Sequence, residues 1–200
     1  MVPFMLRELS MNSVVKRCDH CALHAYKGLG FGNPDAPMLL LGQNPGPPDL
    51  KVNPQRRPFQ LNLWESKQTF KAADVLRRAM TDQGFTLADA YVTNAMKCEG
   101  KVEERYIDNC SDWLESELVN LINLRLIVAM GLVAGKRINL TRPFTIQWYT
   151  SRLEEERRWT AVYVNHPAAV LYPGGISRRD YEQQWAFVRA VFKRLVPEKA

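Results

Sequence analysis

MLLLGQNPGPPD, Met38 to Asp49, decides how the rest of the chain is read. Four apolar residues, Met38 to Leu41, run into Gly42, then the amides Gln43 and Asn44, then Pro45-Gly46-Pro47-Pro48. A short continuous apolar run closed by glycine and proline is the pattern of a buried strand. Proline fixes φ and glycine permits close backbone approach, so the loop leaving this strand is built to hold something still.

The same kind of run recurs along the chain. PMLLLG (37–42), DAYVTNAM (89–96), LRLIVAMG (124–131) and WTAVYVNH (159–166) all read as strands. Helical spacing fills the gaps. Phe70, Ala73, Leu76 and Met80 share one face before Gly84, and Ile107, Cys110, Leu114, Leu118 and Leu121 share another. GLVAGKRINL (131–140) supports a shorter helix, and Tyr181, Trp185, Val188, Phe192 and Leu195 mark a last one. Strands alternating with helices predict an α/β fold, a three-layer α/β/α sandwich around a central four-stranded parallel sheet. One domain over residues 1–200 is expected, and the Pro-, Asn- and Arg-rich segment 44–62 is expected to be a long functional loop.

Composition narrows the function classes. With 200 residues, 46% of them hydrophobic, the chain has enough apolar content to fold alone. Its longest apolar run, Leu126 to Gly135, falls well short of the roughly 20 residues of a membrane span. The N-terminal MVPFMLRELS is too short in its apolar part for a signal peptide, so a cytoplasmic protein with no membrane partner, and a monomer, is expected. A net charge of +6 and a pI near 9.2 favour a polyanionic partner.

In an open parallel sheet, ligands bind beyond the carboxyl ends of the strands. Those ends are Gln43-Asn44, Thr93-Asn94, Gly131 and Asn165-His166. Singly, each is an ordinary turn former; together they put amides and an imidazole along one edge of one sheet, which points to a site. The four cysteines form a second constellation. Cys18 and Cys21 have the two-residue gap that lets both thiolates face one metal, while Cys98 and Cys110 need a loop or helix entry to meet. Four thiolates suit zinc or an iron–sulfur cluster, and the spacing does not choose between them.

The ordered set CDHC, GQNPG, RPF, VTNAMKC, a further cysteine, LIVAMG and NHPAAVL resembles the uracil-DNA glycosylase superfamily, from Cys18 to Leu171. It is most similar to the branch carrying a 4Fe–4S cluster. The resemblance implies a cluster on Cys18, Cys21, Cys98 and Cys110, with zinc as the alternative. It also implies DNA as partner and hydrolysis of a base–sugar bond, with the base flipped out of the duplex. By position, Asn44 matches the residue that handles the attacking water, and His166 opens the second motif. Phe59 matches the aromatic that stacks on the extruded base, and Asn94 the amide that reads its edge. Leu171 and Tyr172 suit a wedge for the vacated stack, and Arg56 and Arg57, beside Phe59, suit phosphate contacts.

Some positions depart from that branch, which usually has GEAPG and PFVG where this chain has GQNPG and PFQL. Gln43 replaces the acid and is expected to touch substrate, and GxNPG is closer to thymine- and mismatch-directed branches. Uracil or a modified pyrimidine is therefore the expected base. Gly46, where some branches place a tyrosine, leaves room for 5-substituted pyrimidines. That space opens a second expectation: excision of hydroxymethylated or glucosylated cytosine from phage DNA, as antiviral defence. A third is a non-catalytic iron–sulfur protein that only binds DNA.

Overall fold

The computed structural model describes residues 30–45, 71–98, 100–154 and 156–197. Six strands are found there: β1 (Phe31–Gly32), β2 (Met38–Gly42), β3 (Ala90–Asn94), β4 (Leu126–Met130), β5 (Ile146–Thr150) and β6 (Arg158–Val164). The helices are α1 (Lys71–Asp82), α2 (Glu104–Asn109), α3 (Ser111–Asn120), α4 (Leu132–Arg137) and α5 (Arg178–Leu195). All strands join one sheet in the order β1-β3-β2-β4-β6-β5. Its centre, β3-β2-β4-β6, is parallel throughout and consists of the four strands expected from the sequence.

The sheet is nevertheless wider than the predicted four strands. β1 and β5 add antiparallel edges. Neither advertises itself: β1 is two residues long, and in β5 (IQWYT) only Tyr149 is buried. An edge strand with one wet face has no continuous apolar run to read.

Side chains alternate strictly across the central strands. Met38 and Leu40 enter one core with Val75, Leu76, Ala79 and Met80 of α1 and Tyr181, Trp185 and Val188 of α5. Leu39 and Leu41 enter the other with Leu114 and Leu118 of α3 and Ala134 of α4. Period-two alternation with helices on both faces is the expected three-layer sandwich. The buried stripe of α1 runs through Val75 and Ala79 beside Leu76 and Met80; Ala73 is only half-buried. The apolar repeat from Ile107 to Leu121 is carried by two helices, because the chain leaves α2 at Cys110 (φ −87°, ψ −1°) and restarts as α3.

One buried charge crosses the second face. The Glu115 carboxylate accepts from the Tyr149 hydroxyl, from Arg137 Nη2 at 3.3 Å, from Ser151 Oγ at 3.2 Å and from the Arg152 amide at 3.1 Å. A carboxylate taken out of water needs that many donors, and these tie α3 to α4 and β5. Burial, and then the Glu115 contact, push the Tyr149 hydroxyl up to about 12.

Topology then locates the site. From β2 the chain crosses to β3 on one side, and later to β4 on the other. The order reverses at β2, and a crevice opens beyond the carboxyl end of such a strand. GQNPG leaves the sheet at that point. No described helix is long and apolar enough to cross a membrane.

Candidate active site

Register aligns the strand ends. Gly42 pairs with Asn94, and Met130 with Val164, so Gln43-Asn44, Asn94, Gly131 and Asn165-His166 share one edge. The loops are stitched to each other there. The Ala95 amide donates to Gly42 O at 2.9 Å, Met96 to Gln43 O at 2.9 Å, and Gly131 to Val164 O at 2.8 Å.

Asn44 is held by three contacts. Its Nδ2 donates to Pro45 O at 3.2 Å and Gly100 O at 3.3 Å, and its Oδ1 accepts from Gln43 Nε2 at 3.0 Å. With both amide hydrogens turned to the protein, what Asn44 offers a ligand is the remaining lone pair of its carbonyl oxygen. Through that last contact Gln43 acts on Asn44.

Asn94 has the opposite character. It is 2% exposed, and its Nδ2 finds no hydrogen-bond partner among the described residues. An unmet buried amide costs about 1–3 kcal/mol, so this donor is available to a ligand that reaches the strand end.

His166 follows β6 and caps a short 3₁₀ helix, Pro167–Leu171. The Ala168 amide donates to its Nδ1 at 3.2 Å, so the neutral ring carries its hydrogen on Nε2. Burial lowers its pKa from the ordinary 6.5, which favours that neutral form. Two neighbours fix the backbone. The Asn165 amide donates to Oε1 of buried Gln184 at 2.7 Å. Gly131 (φ +88°) lies under the ring's Cβ, and a side chain there would come within 2.8 Å of it.

At the end of the 3₁₀ helix, its last residue Leu171 and the following Tyr172 are 40% and 68% exposed. The turn that carries them is closed by Gly175 N to Tyr172 O at 3.0 Å and Ile176 N to Ala169 O at 3.2 Å. Two exposed apolar side chains thus project from a braced turn, as a wedge requires.

Behind the edge lies a group that the sequence reading missed. Lys97 is wholly buried, with Nζ 2.6 Å from Thr93 Oγ1 and 2.6 Å from Glu117 Oε2. Thr93 Oγ1 donates to the same Glu117 oxygen at 2.7 Å, and Glu117 Oε1 accepts from the Gly30 amide at 3.0 Å. Burial and the Glu117 charge raise the Tyr91 hydroxyl well above 10.0. A lysine within the apolar NAMKC was the available signal, but its partner lies on another element.

Cys98 and Cys110 are both buried, and the Lys97 amide donates to Cys110 Sγ at 3.5 Å. That contact brings Cys110 to the turn holding Cys98. Cys18, Cys21, Gly46, Arg56, Arg57 and Phe59 lie outside the described residues, and no group of three or more metal-ligating side chains occurs within them.

Residues 29–190 match the family model of the Uracil DNA glycosylase superfamily. Among curated proteins, the chain is 29% identical over 196 residues to a Type-4 uracil-DNA glycosylase of Archaeoglobus fulgidus, covering 88% of this chain and 90% of the relative. It is 24% identical over 135 residues to a Type-4 uracil-DNA glycosylase of Pyrobaculum aerophilum, covering 64% of this chain and 62% of that one.

Proposed function

The chain belongs to the uracil DNA glycosylase superfamily, and on that premise we propose that it is a monofunctional DNA glycosylase of base-excision repair. It hydrolyses the N-glycosidic bond of uracil, or of a modified pyrimidine, in DNA and leaves an abasic site. The observation that carries this reading is the pairing, on one sheet edge, of a fixed carbonyl acceptor at Asn44 with a fixed Nε2–H donor at His166.

The chemistry follows from those two atoms. As the base–sugar bond breaks, positive charge develops on the sugar and negative charge on the departing base. Asn44 Oδ1 accepts a hydrogen bond from water and aims its oxygen at the sugar carbon; an amide does not ionise, so it orients rather than deprotonates. His166 Nε2–H donates to the base oxygen where negative charge gathers. The water oxygen bonds to the sugar carbon, and its proton ends on the released base or in solvent. Asn94 Nδ2 meets a carbonyl of the extruded base, with Phe59 as the stacking surface. Basic charge, including Arg56 and Arg57, supplies phosphate contacts whose strength falls with salt.

A 4Fe–4S cluster on Cys18, Cys21, Cys98 and Cys110 fits the donor set: the two described thiols are buried, and the backbone N–H of Lys97, next to Cys98, is aimed at the sulfur of Cys110. When bound, it supplies a cross-brace from the CDHC segment to that turn and takes no part in hydrolysis. The test of the function is single-turnover excision from duplex DNA containing uracil, read as alkali-labile abasic sites. Asn44→Ala is expected to slow it roughly 10²-fold while leaving DNA affinity within about twofold. No abasic sites from the wild type, over a panel of uracil, mismatched and 5-modified pyrimidines, would reject it.

A further inference from the structure

The buried ring of Thr93, Lys97 and Glu117 does more than neutralise a lysine. The three polar atoms are mutually 2.6, 2.6 and 2.7 Å apart, and Lys97 reaches back four residues to the residue preceding Asn94. Through Oε1, Glu117 also holds the Gly30 amide at 3.0 Å. The Lys97 amide meets Cys110 Sγ at 3.5 Å. One residue therefore ties the end of β3, helix α3 and Cys110 together.

We propose that Lys97 and Glu117, acting through Thr93, are positioning residues that set the direction of the Asn94 side chain and so govern how tightly the extruded base is held. The inference rests on the base-reading role given above to Asn94. Its physical basis is that Asn94 makes no hydrogen bond of its own through Nδ2 among the described residues, so nothing on that atom orients it. With no bond on that donor, its direction depends the more on the backbone that carries it, and the ring and the Lys97 amide brace that backbone at Thr93 and at Lys97. Thr93 is held through its hydroxyl and Lys97 through both its amide and its ammonium. Neither Lys97 nor Glu117 is placed to touch DNA: their side chains are 0% and 12% exposed.

The test reads the base pocket apart from the chemistry. Single-turnover excision and inhibition by free uracil are measured for the wild type, Lys97→Met, Thr93→Val and Thr93→Ser, with DNA affinity and iron content as controls. Thr93→Val removes only the hydroxyl from a shape it nearly conserves, and Thr93→Ser restores it. Lys97→Met and Thr93→Val are expected to weaken uracil inhibition and slow excision by roughly tenfold or more, with DNA affinity within about twofold and Thr93→Ser close to wild type. If Lys97→Met does not fold, the valine–serine pair decides alone. Should the wild type excise while Thr93→Val matches it in both rate and uracil inhibition, the ring is merely structural and the inference fails. A wild type that excises nothing overturns the proposed function, and this inference with it.

Discussion

The Ala168 amide donates to Nδ1 of His166 at 3.2 Å, and that one contact puts the hydrogen of the neutral ring on Nε2. Protonation would place the ring's second hydrogen on Nδ1, which has none in the neutral form, and set two donors against each other. Burial already holds the pKa below its ordinary 6.5. The excision rate is therefore expected to be flat through neutral pH and to fall only below the usual histidine range. His166→Ala should lower the plateau roughly 10²-fold and abolish that acid limb. The linkage has a matching sign. The unfolded chain takes up this proton near 6.5 and the native chain only at lower pH, so His166 makes the fold lose stability as pH falls through that window. Unfolding midpoints measured against pH, for wild type and His166→Ala, check it.

Gly131 separates backbone strain from misplacement of the imidazole. Gly131→Ala would add a Cβ at φ +88° that comes within 2.8 Å of the His166 Cβ. Gly84 has a similar φ of +73°, yet a Cβ there meets nothing within 4 Å. Both alanine variants should lose about 1–3 kcal/mol from a positive-φ backbone, Gly131→Ala the more because φ +88° with ψ 169° is a region essentially restricted to glycine. Only Gly131→Ala should also slow excision, by roughly tenfold or more at temperatures where both stay folded. Equal rates in the two variants would show that His166 tolerates displacement.

What the sequence disclosed, and what it hid, follows the range of the interactions. β2, β3, β4 and β6 are buried on both faces, so their apolar runs were readable, and their ends placed Asn44, Asn94 and His166 on one edge before any contact was known. β5 hid because one wet face breaks its pattern. The Lys97–Glu117 pair hid because it joins residues twenty apart, on a turn and a helix, through burial that no local spacing encodes. Likewise, GQNPG offered two amides but not their division of labour: Gln43 pins the oxygen of Asn44, and the backbone of Pro45 and Gly100 takes its hydrogens.

The cysteine set predicts a visible property. Protein purified without oxygen should be brown, with about four irons per chain, by the four-thiolate logic of such clusters. Cys98→Ser should bleach it and lower solubility, since Cys98 is buried. Colourless protein with one zinc per chain would replace the cluster by the alternative metal.

The turn after His166 makes a prediction about the DNA rather than the base. Leu171 and Tyr172 are 40% and 68% exposed, on a turn closed by Gly175 N to Tyr172 O and Ile176 N to Ala169 O. Keeping two apolar side chains in water on a stiffened turn has a use if they enter the stack vacated by a flipped base. Unstacking costs a few kcal/mol in a duplex and far less in a single strand, where the base is already unpaired. Leu171→Ala/Tyr172→Ala should therefore slow single-turnover excision from duplex DNA by roughly tenfold or more, and from the matching single strand by no more than about twofold. Loss of the same size on both substrates would identify the pair as a general contact surface, because only a wedge cares whether there is a stack to fill.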